Sequence, residues 1–124
     1  LGCSAALAVQ QVLKTDHILD NAALRATYLR QKLSQALAEH PYVGEIRSIG
    51  LINAIELVQD KATKQDFSSE QRLGYQIFRQ ALSSGLVLRP LGNILYFNPP
   101  LIINEHEINQ AVDICVNSIH KVLV

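Results

Sequence analysis

The feature of this sequence best suited to chemistry on a small molecule is an arginine at the end of an apolar run. Residues 85–100 read GLVLRPLGNILYFNPP, so Leu86 to Arg89 approach a turn over Pro90-Leu91-Gly92-Asn93 and Ile94 to Phe97 return from it, bringing back Tyr96. A guanidinium is a rigid fork of donors that matches a carboxylate through two parallel hydrogen bonds and keeps its charge at any working pH. A plainer reading competes with that one. A lone arginine at a strand end commonly snorkels to solvent or bonds a nearby carbonyl. The residues alone leave both open.

Other reactive side chains do not assemble into a catalytic set. His17, His40, His106 and His120 lack the paired spacing of a metal site, and Cys115 and His120 are five apart, off the i,i+4 spacing that shares a helix face. Glu56, within an apolar strand run, reads as a candidate buried acid, but it lacks the second group that acid–base work needs. Arg47 is expected to pair with Glu45 or Glu56, or to make a domain contact. Gly50 and Gly92 are isolated, so no glycine-rich phosphate cradle is present. Lys14, Lys32, Lys61, Lys64 and Lys121 all read as solvated helix or loop residues. Cys3 and Cys115 lie on apolar helical faces and are expected to be small core residues of a reduced, cytoplasmic protein. No catalytic residue is expected within the chain.

The strands around Arg89 need a scaffold, and the apolar periodicity predicts one. A helix is expected over Gly2 to Lys14, broken at Thr15-Asp16, with Asp16 as N-cap of a second helix. In that second helix Ile18, Ala22, Ala26, Leu29, Leu33 and Leu37 recur every three or four residues, until Pro41 ends it. Val43 to Ile49 and Leu51 to Val58, joined at Gly50, have the β-branched content of strands. Ser68 with Gln71 resembles a capping box opening a third helix, which stops at Gly85. After the Arg89 segment, Pro99-Pro100 ends strand pairing. Asn104 with Glu107 then launches a final helix carrying Ile108, Val112, Cys115, Ile119 and Val122. The order α-α-β-β-α-β-β-α predicts an α+β fold, a small, mostly antiparallel sheet with helices packed on it.

Composition narrows the partners. The chain has 124 residues, one domain by length, with 48% hydrophobic residues. Eleven basic and eleven acidic residues are scattered along it. Nucleic acid is not an expected partner, because counterion replacement needs clustered cations. No apolar run approaches the roughly 20 residues that cross a bilayer. There is no methionine, and the chain opens inside an apolar helical pattern, so a longer parent polypeptide is expected. The stripe Leu7, Val9, Val12 and Leu13 of the first helix is expected to lack a partner within this piece.

Taken in order, Leu1 to Ala8 (LGCSAALA), Arg47 to Leu57 (RSIGLINAIEL) and residues 85–100 resemble the class III, fold type I aminotransferases, and the resemblance covers nearly the whole chain. It implies a small C-terminal domain over 1–124, with 1–15 a helix belonging to an absent large domain. It implies pyridoxal 5'-phosphate as cofactor, held by a lysine, a carboxylate and an aromatic that all lie upstream of Leu1. The isolated chain is therefore expected to be inactive. By the same resemblance Arg89 pairs with the carboxylate of a keto-acid substrate, and Tyr96 contacts substrate beside it. The implied partners are a keto acid, an amino donor and a second copy of the parent enzyme. The likeness is strongest to the biotin-synthesis branch, which implies transfer of an amino group to 8-amino-7-oxononanoate, the donor being S-adenosylmethionine or lysine. Two rivals stand beside it: another class III enzyme acting on ω-amino donors, and a non-catalytic α+β binding or oligomerisation module.

Overall fold

The computed structural model describes residues 1–124. Its helices are α1 (Gly2–Thr15), α2 (Ile18–Leu37), α3 (Leu73–Ser83) and α4 (Glu105–Leu123), and its strands are β1 (Val43–Ile49), β2 (Ile52–Leu57), β3 (Arg89–Leu91) and β4 (Ile94–Phe97). The sheet runs β1-β2-β4-β3 with every neighbouring pair antiparallel, so the predicted α+β order holds.

One face of the sheet makes the core. Leu29, Leu33 and Leu37 of α2 recur every four residues and are buried, as one stripe of an amphipathic helix requires. Ile77 and Ala81 of α3 and Ile108, Val112, Cys115 and Ile119 of α4 join them over Ile55, Leu57, Leu95 and Phe97 of the sheet. Strand side chains alternate faces. Ala54, Glu56, Ile94 and Tyr96 therefore point the other way, toward a face that no helix of this chain covers. α4 packs against both α2 and α3.

Both hairpins turn on two residues with glycine first. Gly50-Leu51 joins the paired Ile49 and Ile52, and Gly92-Asn93 joins the paired Leu91 and Ile94. Their glycines have φ +53° and +59°, the left-handed region that such tight turns demand. The first turn is braced from inside. Buried Asn53 accepts a hydrogen bond from Ser48 Oγ and donates one from Nδ2 to the Leu51 carbonyl at 3.1 Å. Asn53→Ala strips that carbonyl of its donor, and we expect a loss of about 1–3 kcal/mol. A lower urea midpoint at unchanged m-value would register it.

Several local expectations are corrected. Asp16 does not cap α2: it closes α1 through its N–H to the Val12 carbonyl, and His17 takes the N-cap position in the left-handed region at φ 51°. Ser68 accepts only a weak bond from the Glu70 N–H, at 3.4 Å, and caps a single 3-10 turn (Ser69–Gln71). α3 instead starts after Arg72, without a side-chain cap. The strand foreseen at Leu86 to Arg89 falls later, at Arg89–Leu91, because the turn needs only Gly92 and Asn93. Pro90 thus sits inside an edge strand, where its missing N–H faces no partner. Cys115 is a core residue, its thiol pushed up to about 12 by burial, but Cys3 is exposed on α1, a helix with no buried residue. The Asn104–Glu107 capping box forms as predicted, at 2.9 and 3.0 Å.

Candidate functional site

Four residues make one row across the helix-free face. Arg47 pairs with Ala54, Ala54 with Tyr96, and Tyr96 with Arg89, as successive cross-strand partners. Neighbouring strands lie about 4.8 Å apart, so the two arginine backbones are separated by roughly 14 Å. Ala54, the smallest side chain of the four, lies between Arg47 and Tyr96.

The two guanidinium groups differ in company. Arg47 Nη1 donates to Glu45 at 3.0 Å and also to Glu56, which confirms the pairing predicted for it. These hydrogen bonds, that to Glu56 foremost, hold its pKa above the usual arginine range. Glu56, foreseen as a buried acid, is instead partly exposed and neutralised in this pair. Arg89 has no ion pair, and its side chain is exposed. It stands at a depression of about 320 Å³ lined by Ile52, Arg89, Leu91, Tyr96 and Asn98. One free cation, a phenol, a carboxamide and two aliphatic walls suit an anion that carries an aliphatic chain.

What aims Arg89 and Tyr96 is the hairpin beneath them. Its turn is tied on two sides: Leu57 N–H donates to the Asn93 carbonyl at 2.9 Å, and Asn93 Nδ2 donates to the Phe67 carbonyl at 2.9 Å. From below, Gly74 of α3 approaches so closely that a Cβ there would lie 2.3 Å from the Gly92 carbonyl oxygen. The sequence reading brought Arg89 and Tyr96 together correctly but missed Ile52, Leu91, Asn98 and Gly74.

No nucleophile or acid–base pair lines the depression, and neither does a lysine. Lys61 Nζ donates to the Ala38 carbonyl at the end of α2, and Lys32 lies 5.4 Å from the centroid of the Tyr28 ring. Lys14, Lys64 and Lys121 are exposed elsewhere. The residues present do not fit a pyridoxal phosphate site.

The two-layer α+β unit presents an unpaired arginine on its open sheet face. Residues 1–120 match Aminotransferase class-III, and the chain belongs to that family. It is 41% identical over 122 residues to the adenosylmethionine-8-amino-7-oxononanoate aminotransferase of Geobacter sulfurreducens, covering 98% of this chain and 27% of that protein. It is 33% identical over 124 residues to the diaminobutyrate–2-oxoglutarate transaminase of Halomonas elongata, covering 98% and 26%. The PMP-bound aminotransferase from Vibrio fluvialis superposes with a TM-score of 0.93 at 31% identity, over 98% of this chain and 26% of that one. The chain thus spans about a quarter of the length of the relatives it matches. No helix is long and apolar enough to cross a membrane.

Proposed function

We propose that this chain is the C-terminal substrate-binding domain of a pyridoxal-phosphate transaminase of biotin synthesis. The parent enzyme moves an amino group onto 8-amino-7-oxononanoate to give 7,8-diaminononanoate. The observation that carries the reading is the unpaired Arg89 guanidinium beside Tyr96, in a depression whose other walls include Ile52 and Leu91. A keto acid with a long aliphatic chain has a carboxylate for the arginine and methylenes for the walls. Fixing that far end sets the ketone against the cofactor, and such positioning is a large part of catalysis. Tyr96 adds a hydroxyl within reach of the bound chain.

The lysine, the carboxylate for the pyridine nitrogen and the stacking aromatic come, on this reading, from polypeptide outside the chain. Bound there, the cofactor supplies the electron sink for moving the amino group. α1 belongs with that part too, since its Leu7, Val9 and Val12 are between 47% and 73% exposed. The parent works as a cytoplasmic homodimer.

The second reading is another class III transaminase, favoured by the likeness to the diaminobutyrate enzyme. The full-length polypeptide, purified with pyridoxal phosphate, separates the two. We expect it to form 7,8-diaminononanoate from 8-amino-7-oxononanoate with S-adenosylmethionine or lysine as donor. Turnover of 2-oxoglutarate with an ω-amino donor, and none of the oxononanoate, would replace the first reading with the second.

A further inference from the structure

We propose that His40 and His120 form an acid-released latch that holds the end of α4 against the junction between α2 and β1. His40 lies just beyond α2, its N–H bonded to the Leu37 carbonyl at 3.0 Å and its own carbonyl accepting the Val43 N–H at 3.2 Å. Only 6% of it is exposed. Tyr42 N–H donates to Nδ1 at 3.2 Å, so Nδ1 is an acceptor and the ring proton sits on Nε2. Nε2 is fully buried and has no hydrogen-bond partner, the one such side-chain atom in the chain. The His120 ring of α4 lies 4.9 Å away, centroid to centroid, and is tilted by 58°.

The surroundings have no place for an imidazolium. From α4 His120 faces His40. From the segment after β2 comes Lys61, its ammonium bonded to the Ala38 carbonyl, and from its own segment Tyr42 lies with ring centroids 6.0 Å apart. None of these is a carboxylate. A second proton on the ring would also have to enter at Nδ1 and break the bond from Tyr42 N–H. Burial foremost, then His120 and Lys61, holds the His40 pKa below its ordinary 6.5. The sign follows: the closed latch refuses a proton that the opened one accepts at the ordinary value. The latch is therefore at full strength above pH 6.5 and weakens as pH falls below it. For one proton the opening equilibrium rises by up to about tenfold per pH unit. Because His120 is exposed while His40 is not, the first segments to open are the end of α4 and the α2–β1 junction.

Hydrogen exchange of the full-length protein, followed by mass spectrometry from about pH 7.5 to about pH 5 and corrected for intrinsic rates, tests this. Peptides spanning 36–43 and 115–124 should lose protection by up to about tenfold per pH unit below neutrality, while β2 and β4 stay level. His40→Asn keeps an oxygen that can accept the Tyr42 N–H and does not titrate, so its profile should be flat. His120→Gln removes one source of the repulsion and should shrink the acid loss even if His40→Asn folds poorly. A flat wild-type profile, or the wild-type slope surviving in both variants, overturns the latch.

Discussion

Arg89→Ala in the full-length aminotransferase is expected to lower kcat/KM for the keto acid by about a hundredfold, with the donor half-reaction changed by less than about twofold. In the proposed role, the guanidinium's removal would cost two charge-assisted hydrogen bonds, each contributing about 1.5–3 kcal/mol, and solvent would recover part of that on an open face. A net loss of about 3 kcal/mol corresponds to about two powers of ten. The asymmetry between half-reactions is the informative part, because Arg89 has no structural partner whose loss would disturb both. Arg89→Lys should fall between, keeping the charge without the planar fork. Single-turnover absorbance of the cofactor reads the two halves separately. Equal damage to both would mean that Arg89 serves the fold or the cofactor and does not hold the keto acid.

Among the glycines, Gly74 is where an added Cβ meets the nearest obstacle, and Gly74→Ala should be damaging. The new Cβ would meet the Gly92 carbonyl oxygen at 2.3 Å and Pro90 Cβ at 3.2 Å. Neither is the tip of a flexible side chain, so the start of α3 or the β3–β4 turn must shift. Overpacking of this kind costs about 1–3 kcal/mol. The turn carries Arg89 and Tyr96 on its two arms, so the shift also misplaces the site. We expect a lower urea midpoint together with a raised KM for the keto acid. A Gly74→Ala protein with wild-type stability would show that α3 and the turn do not approach as closely as described.

Much of this was legible in the residues, for identifiable reasons. The α2 and α4 stripes were plain because Leu29, Leu33 and Leu37, like Ile108, Val112, Cys115 and Ile119, keep a three-to-four spacing that only a helix puts on one face. β3 was placed too early because Leu86 to Leu88 is an apolar run, and apolarity cannot tell a buried connector from a laddered strand. Leu88 is buried, yet the ladder begins only at Arg89. Arg89 and Tyr96 were found together because a hairpin is a local object. Ile52 reaches the same depression through the pairing of β2 with β4, strands separated by a helix and a third strand, and local pattern does not encode that register. Gly74 was missed for a similar reason, since its role depends on a contact 18 residues away in sequence, at Gly92.

Pro90 has a consequence beyond the site. Both margins of the sheet are poor templates for another chain to add a strand. On one side β3 offers three residues with an imide nitrogen at their centre, and that nitrogen has no proton to donate. On the other, the ladder of β1 is offset between Val43 and Glu45, and Glu45 and Arg47 stand charged along it. Short, proline-bearing, bulged and charged margins are how sheets escape edge-to-edge aggregation. The same short β3 that carries Arg89 on the open face is therefore also a poor template for fibrillar growth.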